Sequence, residues 1–410
     1  MSRRVVVTGR GVLGPLGHDW PAVRDWLRSG RNAVRRYDDW GEYRGLNTRL
    51  GVPAAPFELP DHYHRKSTRS MGRVSILGTR ASELALADAG LLGDPLVKSG
   101  DMGISYGSSA GTPSAMSDFG RMLAEKNTQY INATTYIKMM AHTAPVNMGV
   151  FLGVTGRVIT TSSACTSGSQ GIGYAVETIR AGKQVAMLAG GAEELDITGA
   201  TVFDTLFATS PDNDTPERTP RPFDVTRNGL VVGEGACTLV LEELEHAQAR
   251  GATIHAEIVG FGTNSDGQHV TQPNAATMAQ AMRLALADAG LAPDAIGYVS
   301  AHGTATDHGD IAETTATHAV FGERMPISAL KSYTGHTLGA CGALEAWVTL
   351  EMLREGWFHP TINLREVDPR CGALDYIVGD GRRIDGEYAM SNNFAFGGIN
   401  TSLVLRRWPH

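Results

Sequence analysis

A layered α/β fold assembled from two duplicated halves is expected of this chain. Short Val/Ile-rich runs at residues 5–7, 158–161, 185–189 and 296–300 alternate with longer Ala/Leu-rich stretches of helical period. That order suits a largely buried sheet covered by helices. The octapeptide Leu84-Ala85-Leu86-Ala87-Asp88-Ala89-Gly90-Leu91 recurs unchanged as Leu284-Ala285-Leu286-Ala287-Asp288-Ala289-Gly290-Leu291. Each copy closes a helical stretch with Gly at the stop position. Each is followed by a strand-like run, residues 102–106 in one case and 296–300 in the other. Convergence on common helix-end residues is the plain alternative, but eight identities in matching contexts favour duplication. The halves are set at residues 1–250 and 251–410, with a cleft between them as a natural place for chemistry.

The composition of the 410 residues is that of a globular protein with an ample core: 42% are hydrophobic and 19% charged. Lys and Arg number 36 against 43 Asp and Glu, a net charge of −7, so nothing supplies a phosphate-neutralising field for nucleic acid. The cysteines at 165, 237, 341 and 371 show no CxxC spacing, which fits reduced thiols in a cytoplasmic enzyme. The absence of any run of 18 apolar residues argues against membrane insertion. Residues 210–222, with Pro211, Pro216, Pro220 and Pro222 among Asp and Asn, read as a surface excursion.

The strand at residues 5–7 leads into Gly9-Arg10-Gly11-Val12-Leu13-Gly14, which fits the dinucleotide fingerprint GxGxxG. The fingerprint needs a helix opening directly from those glycines. Here Pro15-Leu16-Gly17 intervenes and the helical pattern starts only near Trp20, so nucleotide binding is rejected and the glycines are read as a turn. Thr161-Ser162-Ser163-Ala164-Cys165-Thr166-Ser167-Gly168 lies between the strand at 158–161 and a helix whose Ile172, Val176 and Ile179 share one face. Cys165 therefore sits at or just before a helix N-terminus, where unpaired N–H groups and the dipole stabilise a thiolate. A buried inert thiol is the bland alternative. His302, in His302-Gly303-Thr304-Ala305-Thr306, follows the strand at 296–300. His336 ends Lys331-Ser332-Tyr333-Thr334-Gly335-His336 before the helical run at 338–353. A single histidine is ordinarily structural; a cysteine at a helix start with two histidines at element ends is a different pattern. Asn392-Asn393-Phe394-Ala395-Phe396-Gly397-Gly398-Ile399-Asn400 adds a Gly-flanked loop.

Together, and in this order, the Cys-Thr-Ser-Gly, His-Gly-Thr-x-Thr and Lys-x-x-x-Gly-His elements resemble those of the elongating β-ketoacyl-acyl-carrier-protein synthases, condensing enzymes of the thiolase superfamily. The resemblance runs from Arg3-Arg4-Val5 to Phe396-Gly397-Gly398, through Arg221-Pro222-Phe223-Asp224, Gly233-Glu234-Gly235-Ala236 and Val259-Gly260-Phe261-Gly262. It implies a thiolase-like αβαβα layering, with Cys165 in the first half and both histidines in the second. It implies further that Cys165 takes an acyl chain from a carrier-protein phosphopantetheine as a thioester. His302 and His336 then bind the malonyl thioester carbonyl and promote decarboxylation, and the carbanion attacks the Cys165 thioester. The N–H groups of Cys165 and Phe396 match the family's oxyanion hole. Lys331, with Glu345, resembles the buried lysine that orders the site. Asp310 and Glu313 match supporting acids, Thr304 and Thr306 the hydroxyls on the pantetheine arm. Phe396 resembles a gate, and Phe203 and Ala110 fall where the family lines its acyl pocket. No metal and no free cofactor is implied.

The partner implied is an acidic acyl carrier protein (ACP). Arg65, Lys66, Arg69 and Arg73 are its expected docking site, three of them on one face if the segment is helical. A homodimer is the family's habit; a heterodimer with a Cys-less relative is the other arrangement. Ala395 and Ile399 depart from the Gly and Thr usual in housekeeping relatives, and residues 130–148 are also unlike them. A secondary pathway such as polyene or aryl polyene assembly therefore stands beside primary fatty-acid elongation. The competing readings are a non-condensing chain-length-factor subunit, a CoA thiolase and an acyl hydrolase. The first normally lacks the cysteine, the second needs another catalytic cysteine in a motif absent here, and the third lacks a recognisable nucleophile signature.

Overall fold

The computed structural model describes residues 3–409. Its main sheet has eleven strands, and the strand order reads the same way outward from the middle in both directions. Val5–Leu13 and Ala256–Ser265 meet at the centre through a short antiparallel contact. Outward from Val5–Leu13 come Gly235–Glu243, Ala186–Glu193, Met102–Gly107 and Val158–Thr160, joined antiparallel, antiparallel, parallel and parallel. Outward from Ala256–Ser265 come Ile399–Arg407, Tyr388–Ala395, Ile296–Ser300 and Pro326–Ser328, in the same sequence of directions. The short strand Asp375–Tyr376 extends this second side. Duplication expected from one octapeptide is thus a property of the whole sheet.

Helices complete five layers. Arg73–Asp88 covers Val5–Leu13 and Gly235–Glu243 on one outer face, and Ala275–Ala289 covers Ala256–Ser265 and Ile399–Arg407 on the other. Ser167–Arg180 and Cys341–Glu355 pack on each other in the middle layer. The core divides accordingly into a central cluster around Ile172, Val176, Leu344 and Val348 and one outer cluster on each side. Cys341–Glu355 is buried over most of its length, as a middle-layer helix must be.

The rejected GxGxxG is explained by this packing and corrects the reading as a turn. Gly9 and Gly11 lie inside the strand Val5–Leu13, under the helix that carries the first octapeptide. A Cβ on Gly9 would fall 2.2 Å from the Ala85 carbonyl oxygen, and one on Gly11 would fall 1.9 Å from that of Ala81. The second half repeats the device: Gly260 and Gly262 would meet the carbonyls of Ala285 and Ala281 at 2.3 and 2.2 Å. The Asp of each octapeptide accepts from the N–H of the residue between the glycines, Asp88 from Arg10 and Asp288 from Phe261, both at 2.9 Å. The glycines let backbone meet backbone. Gly11→Ala is therefore expected to destabilise the protein by about 1–3 kcal/mol. Gly120→Ala, on a helix with open space around the added carbon, should do no harm. Denaturant midpoints compare the two.

A second repeated device sits at the heads of the middle helices. Each is entered through a three-residue 3₁₀ turn, Ala164–Thr166 before Ser167 and Leu338–Ala340 before Cys341. Each turn starts on a non-glycine residue in the left-handed region, Ala164 at φ 51° and Leu338 at φ 46°. Gly168 and Gly342 follow at matching places, and a Cβ on either would press on the other helix's backbone, at Ala343 N and Ser169 N respectively. The two heads therefore abut. The loop at 210–222 is partly a surface feature, but its end is drawn inward: Asn32 donates to the carbonyls of Pro216 and Thr219, and Thr219 is buried.

Candidate active site

Where the middle helices abut, the structure brings Cys165, His302 and His336 together. The Cys165 sulfur and one ring nitrogen from each histidine lie within 4.8 Å of one another. The His336 Nε2 is 3.0 Å from Cys165 Sγ, and the two imidazoles stand nearly perpendicular, 88°, with centroids 5.1 Å apart. The tautomers are set from behind. The Leu338 N–H donates to His336 Nδ1 at 3.2 Å, so the proton of the neutral ring sits on Nε2. Lys331 Nζ donates to His302 Nδ1 at 3.1 Å, with the same consequence. Burial, and then the Lys331 charge, hold both histidines well below the usual imidazole range. Two neutral rings thus present N–H donors to one space.

Lys331 is buried and ion-paired with Glu345. Burial pulls the ammonium down, but its surroundings, the Glu345 ion pair and hydrogen bond among them, outweigh it and raise Lys331 above the usual lysine value. The other Glu345 oxygen accepts from Asn393 Nδ2 at 2.6 Å, and the same amide lies 3.4 Å from His302 Nδ1. Glu313 accepts from the N–H groups of His302 and Gly303, both at 2.7 Å. Asp310 accepts from Ala305 and Phe223. Burial still pushes Glu313 up to about 8 and Asp310 to about 6 against those donors. These carboxyls hold the loop that carries His302, including Gly303 and Ala305, both in the left-handed region.

The sulfur differs from the sequence expectation. Burial pushes Cys165 up to about 12, with Lys331 and the N–H groups of Phe396 and Cys165 opposing. Cys165 does sit just before a helix start, in the 3₁₀ turn that leads into the helix at Ser167, yet burial outweighs what favours its ionised form. Desolvation wins, and the resting group is a thiol. Iodoacetamide labelling of Cys165 should therefore rise about tenfold per pH unit from pH 7 to 10, because only the thiolate reacts. A plateau below pH 8 would show an ionised resting sulfur instead. The N–H groups expected to form an oxyanion hole, those of Cys165 and Phe396, are among the groups that favour the ionised sulfur.

A cavity of about 660 Å³ leads to the site. Cys165, His302, His336, Thr304, Thr306, Phe203 and Phe396 face it, while Lys331, Glu345 and Asp310 stand behind. The Thr304 and Thr306 hydroxyls bond each other at 2.8 Å, and the Phe396 ring packs on Phe203 at 5.3 Å between centroids. Ala110 does not face this cavity; its carbonyl accepts from Ser108 Oγ. The expected basic helix is also corrected. Arg65–Thr68 is a single turn, the chain breaks before Gly72, and Arg73 starts the next helix with its guanidinium bound by both oxygens of Glu234. Arg65, Lys66 and Arg69 remain exposed.

Three buried groups escaped the sequence reading. Asn393 ties Glu345 to the His302 ring. Glu193, pushed up to about 7 by burial, accepts from Ser109 and from the Gly339 N–H at 2.9 Å, fastening the second helix head. Cys341 donates to the Cys165 carbonyl at 3.3 Å. Asn393 had a signal, since it lies in the quoted C-terminal loop; Glu193 and Cys341 had none. The Cys165, His302 and His336 donors have the spacing of a metal site. An ion there needs both Nε2 lone pairs, which would drive protons onto Nδ1 atoms that face the Lys331 ammonium and the Leu338 N–H. The donor set does not fit one.

Comparison with known proteins finds relatives along nearly the whole chain. The family model for the beta-ketoacyl synthase N-terminal domain matches residues 2–247, and that for the C-terminal domain matches 255–365. The 3-oxoacyl-[acyl-carrier-protein] synthase 2 of Vibrio cholerae is 36% identical over 99% of both chains. The crystal structure of a beta-ketoacyl synthase from Burkholderia phymatum superposes with a TM-score of 0.98 at 61% identity, covering 99% of this chain and all of that one. The ishigamide ketosynthase/chain length factor superposes at 0.89 with 32% identity over the whole of both chains.

Proposed function

This chain belongs to the β-ketoacyl synthase family, and on that premise we propose that it condenses a Cys165-bound acyl chain with malonyl-ACP to give 3-oxoacyl-ACP. The observation that carries the reading is the convergence of the Cys165 sulfur with two imidazoles that both present Nε2–H to one cavity. Residues 1–250 supply the nucleophile and residues 251–410 the two donors.

In the first half-reaction the Cys165 sulfur attacks the carrier thioester. Its proton goes to the departing pantetheine thiol, and the acyl group remains on Cys165. The thiolate that forms is met by the His336 Nε2–H and the N–H groups of Cys165 and Phe396, which stabilise charge only as it develops. In the second half-reaction the bond between the malonyl methylene and its carboxylate breaks and CO₂ leaves. The electron pair stays as an enolate whose oxygen accepts from His302 and His336. The carbanion attacks the Cys165 thioester carbonyl, and the two backbone N–H groups hold the tetrahedral oxyanion. Collapse expels the Cys165 thiolate, which takes up one proton. Neutral imidazoles suit both steps, being donors without a full charge.

The substrates arrive on phosphopantetheine, and the site calls for no free cofactor. No helix among the described residues is long and apolar enough to cross a membrane, and we assign the protein to the cytoplasm. The partners are an acyl carrier protein and either a second copy or a related subunit; the ketosynthase/chain length factor likeness supports the latter arrangement. Ala395 and Ile399 beside the Phe396 gate keep a polyene or polyketide type of chain on a level with primary fatty-acid elongation; the ketosynthase/chain length factor likeness fits the first and the 3-oxoacyl-[acyl-carrier-protein] synthase relatives fit the second. Intact-mass spectrometry tests the reading. Acyl-ACP should add one acyl mass to the protein, and malonyl-ACP should then release a 3-oxoacyl-ACP. Release of free acid alone would show a hydrolase.

A further inference from the structure

We infer that Glu193 is a positioning residue for His336: it clamps the second helix head so that the Leu338 N–H stays on the imidazole. This rests on the reading that His336 meets the malonyl enolate through its Nε2–H. Leu338 is the residue whose N–H reaches His336 Nδ1 at 3.2 Å and so places the ring proton. It does so from the left-handed region, φ 46°, which a bulky side chain rarely adopts. A backbone in that region persists only where its surroundings over-determine it. The next N–H along the chain, that of Gly339, is fixed on Glu193 Oε2 at 2.9 Å. The two amides bracket the strained residue: one orders the imidazole, and the other is anchored.

Glu193 closes the strand Ala186–Glu193 and is buried. Its Oε2 also accepts from the Ser109 N–H at 2.9 Å and from the Ser109 hydroxyl. The neighbouring Ser108 carbonyl accepts from Ser162 Oγ at 2.9 Å, three residues before Cys165. One carboxyl oxygen therefore ties the second helix head to the loop that braces the first. Gly339 permits that approach, since a Cβ there would fall 2.9 Å from Oε2. The Ser109 and Gly339 donors oppose the burial that pushes Glu193 up. A proton on Oε1 leaves Oε2 free to accept, so the clamp depends on where the oxygen lies and not on its charge.

Three substitutions test the clamp. Glu193→Asp withdraws the oxygen from Gly339 by one methylene, Glu193→Met keeps the bulk without an acceptor, and Glu193→Gln keeps an acceptor in place without a charge. Tautomers are read without substrate by ¹⁵N NMR of the histidine-labelled protein, the His336 signals being those missing from a His336→Ala protein. In wild type and Glu193→Gln the His336 proton should sit on Nε2. In Glu193→Asp and Glu193→Met it should shift toward Nδ1, while His302, held by Lys331, keeps its signature. Malonyl-ACP decarboxylation should fall about tenfold or more in those two, short of the roughly 10²–10³-fold loss from deleting an oxyanion donor outright. Glu193→Gln should restore it. An unmoved His336 signature in both folded variants would overturn the proposal. So would Glu193→Gln behaving like Glu193→Met, which would make the charge decisive, or equal disturbance of both histidines, which would leave Glu193 a structural role only. A wild-type protein that shows these tautomers but leaves malonyl-ACP intact would instead overturn the reading of the site.

Discussion

The Cys165→Ala protein is expected to lose condensation by about 10⁴-fold or more, the scale of deleting a nucleophile that acts in concert with its neighbours. It should gain no acyl mass from acyl-ACP. Malonyl decarboxylation should persist, because neither imidazole depends on the sulfur for its tautomer: Leu338 and Lys331 set those from behind. The two halves of the chemistry are thereby separable by one substitution. Acyl mass on the Ala variant would refute the assigned nucleophile, and loss of decarboxylation along with condensation would refute the independence of the histidines.

Lys331→Met is expected to act on both stability and rate. It leaves the buried Glu345 carboxyl without its cation, and breaking such a pair by removing one partner costs about 3–5 kcal/mol. Adding Glu345→Gln should return part of that loss, since no uncompensated carboxyl remains, and a double-mutant cycle measures how much. On the rate, His302 loses the donor on Nδ1 that directs its proton to Nε2. Decarboxylation should fall about 10²–10³-fold, the effect of removing one oxyanion donor. The Lys331 charge also holds His302 below the usual imidazole range. Without it the ring protonates at a higher pH, so the acid limb of the decarboxylation profile should move upward. An unshifted profile in a folded Lys331→Met protein would reduce Lys331 to a structural role.

Much of this was legible because certain contacts leave identical residues behind. The octapeptides at 84–91 and 284–291 are identical where Ala85 and Ala285 press their carbonyls onto strand glycines, as Ala81 and Ala281 do just ahead of them, a gap that only small residues permit. The same contact misled the reading of Gly9 and Gly11, since a glycine that admits a helix looks in sequence like a glycine that turns. Cys165, His302 and His336 were legible from element ends and motif order, but the state of the sulfur was not. Helix-start chemistry predicts a thiolate; burial, which no local pattern displays, decides for the thiol. The basic stretch failed for a related reason. Spacing of four places Arg65, Arg69 and Arg73 on a helix face only if the helix continues, and it stops after one turn. Asn393 and Glu193 do their work across 48 and 146 residues of chain, distances at which only the folded form brings them to their partners.

The paired helix heads carry a consequence for how such a centre arises. Matching the turns at Ala164–Thr166 and Leu338–Ala340 sets Cys165 against Gly339, and a Cβ at Gly339 would already crowd Ser109 and Glu193 at 2.7 and 2.9 Å. An assembly of two identical half-length chains would carry one reactive group at each head, facing its twin. In the single polypeptide the two heads share a backbone and differ in what they carry: one bears the Cys165 sulfur, the other bare glycine at 339 with His336 three residues upstream. A twofold backbone thereby holds an unsymmetrical set of reactive groups.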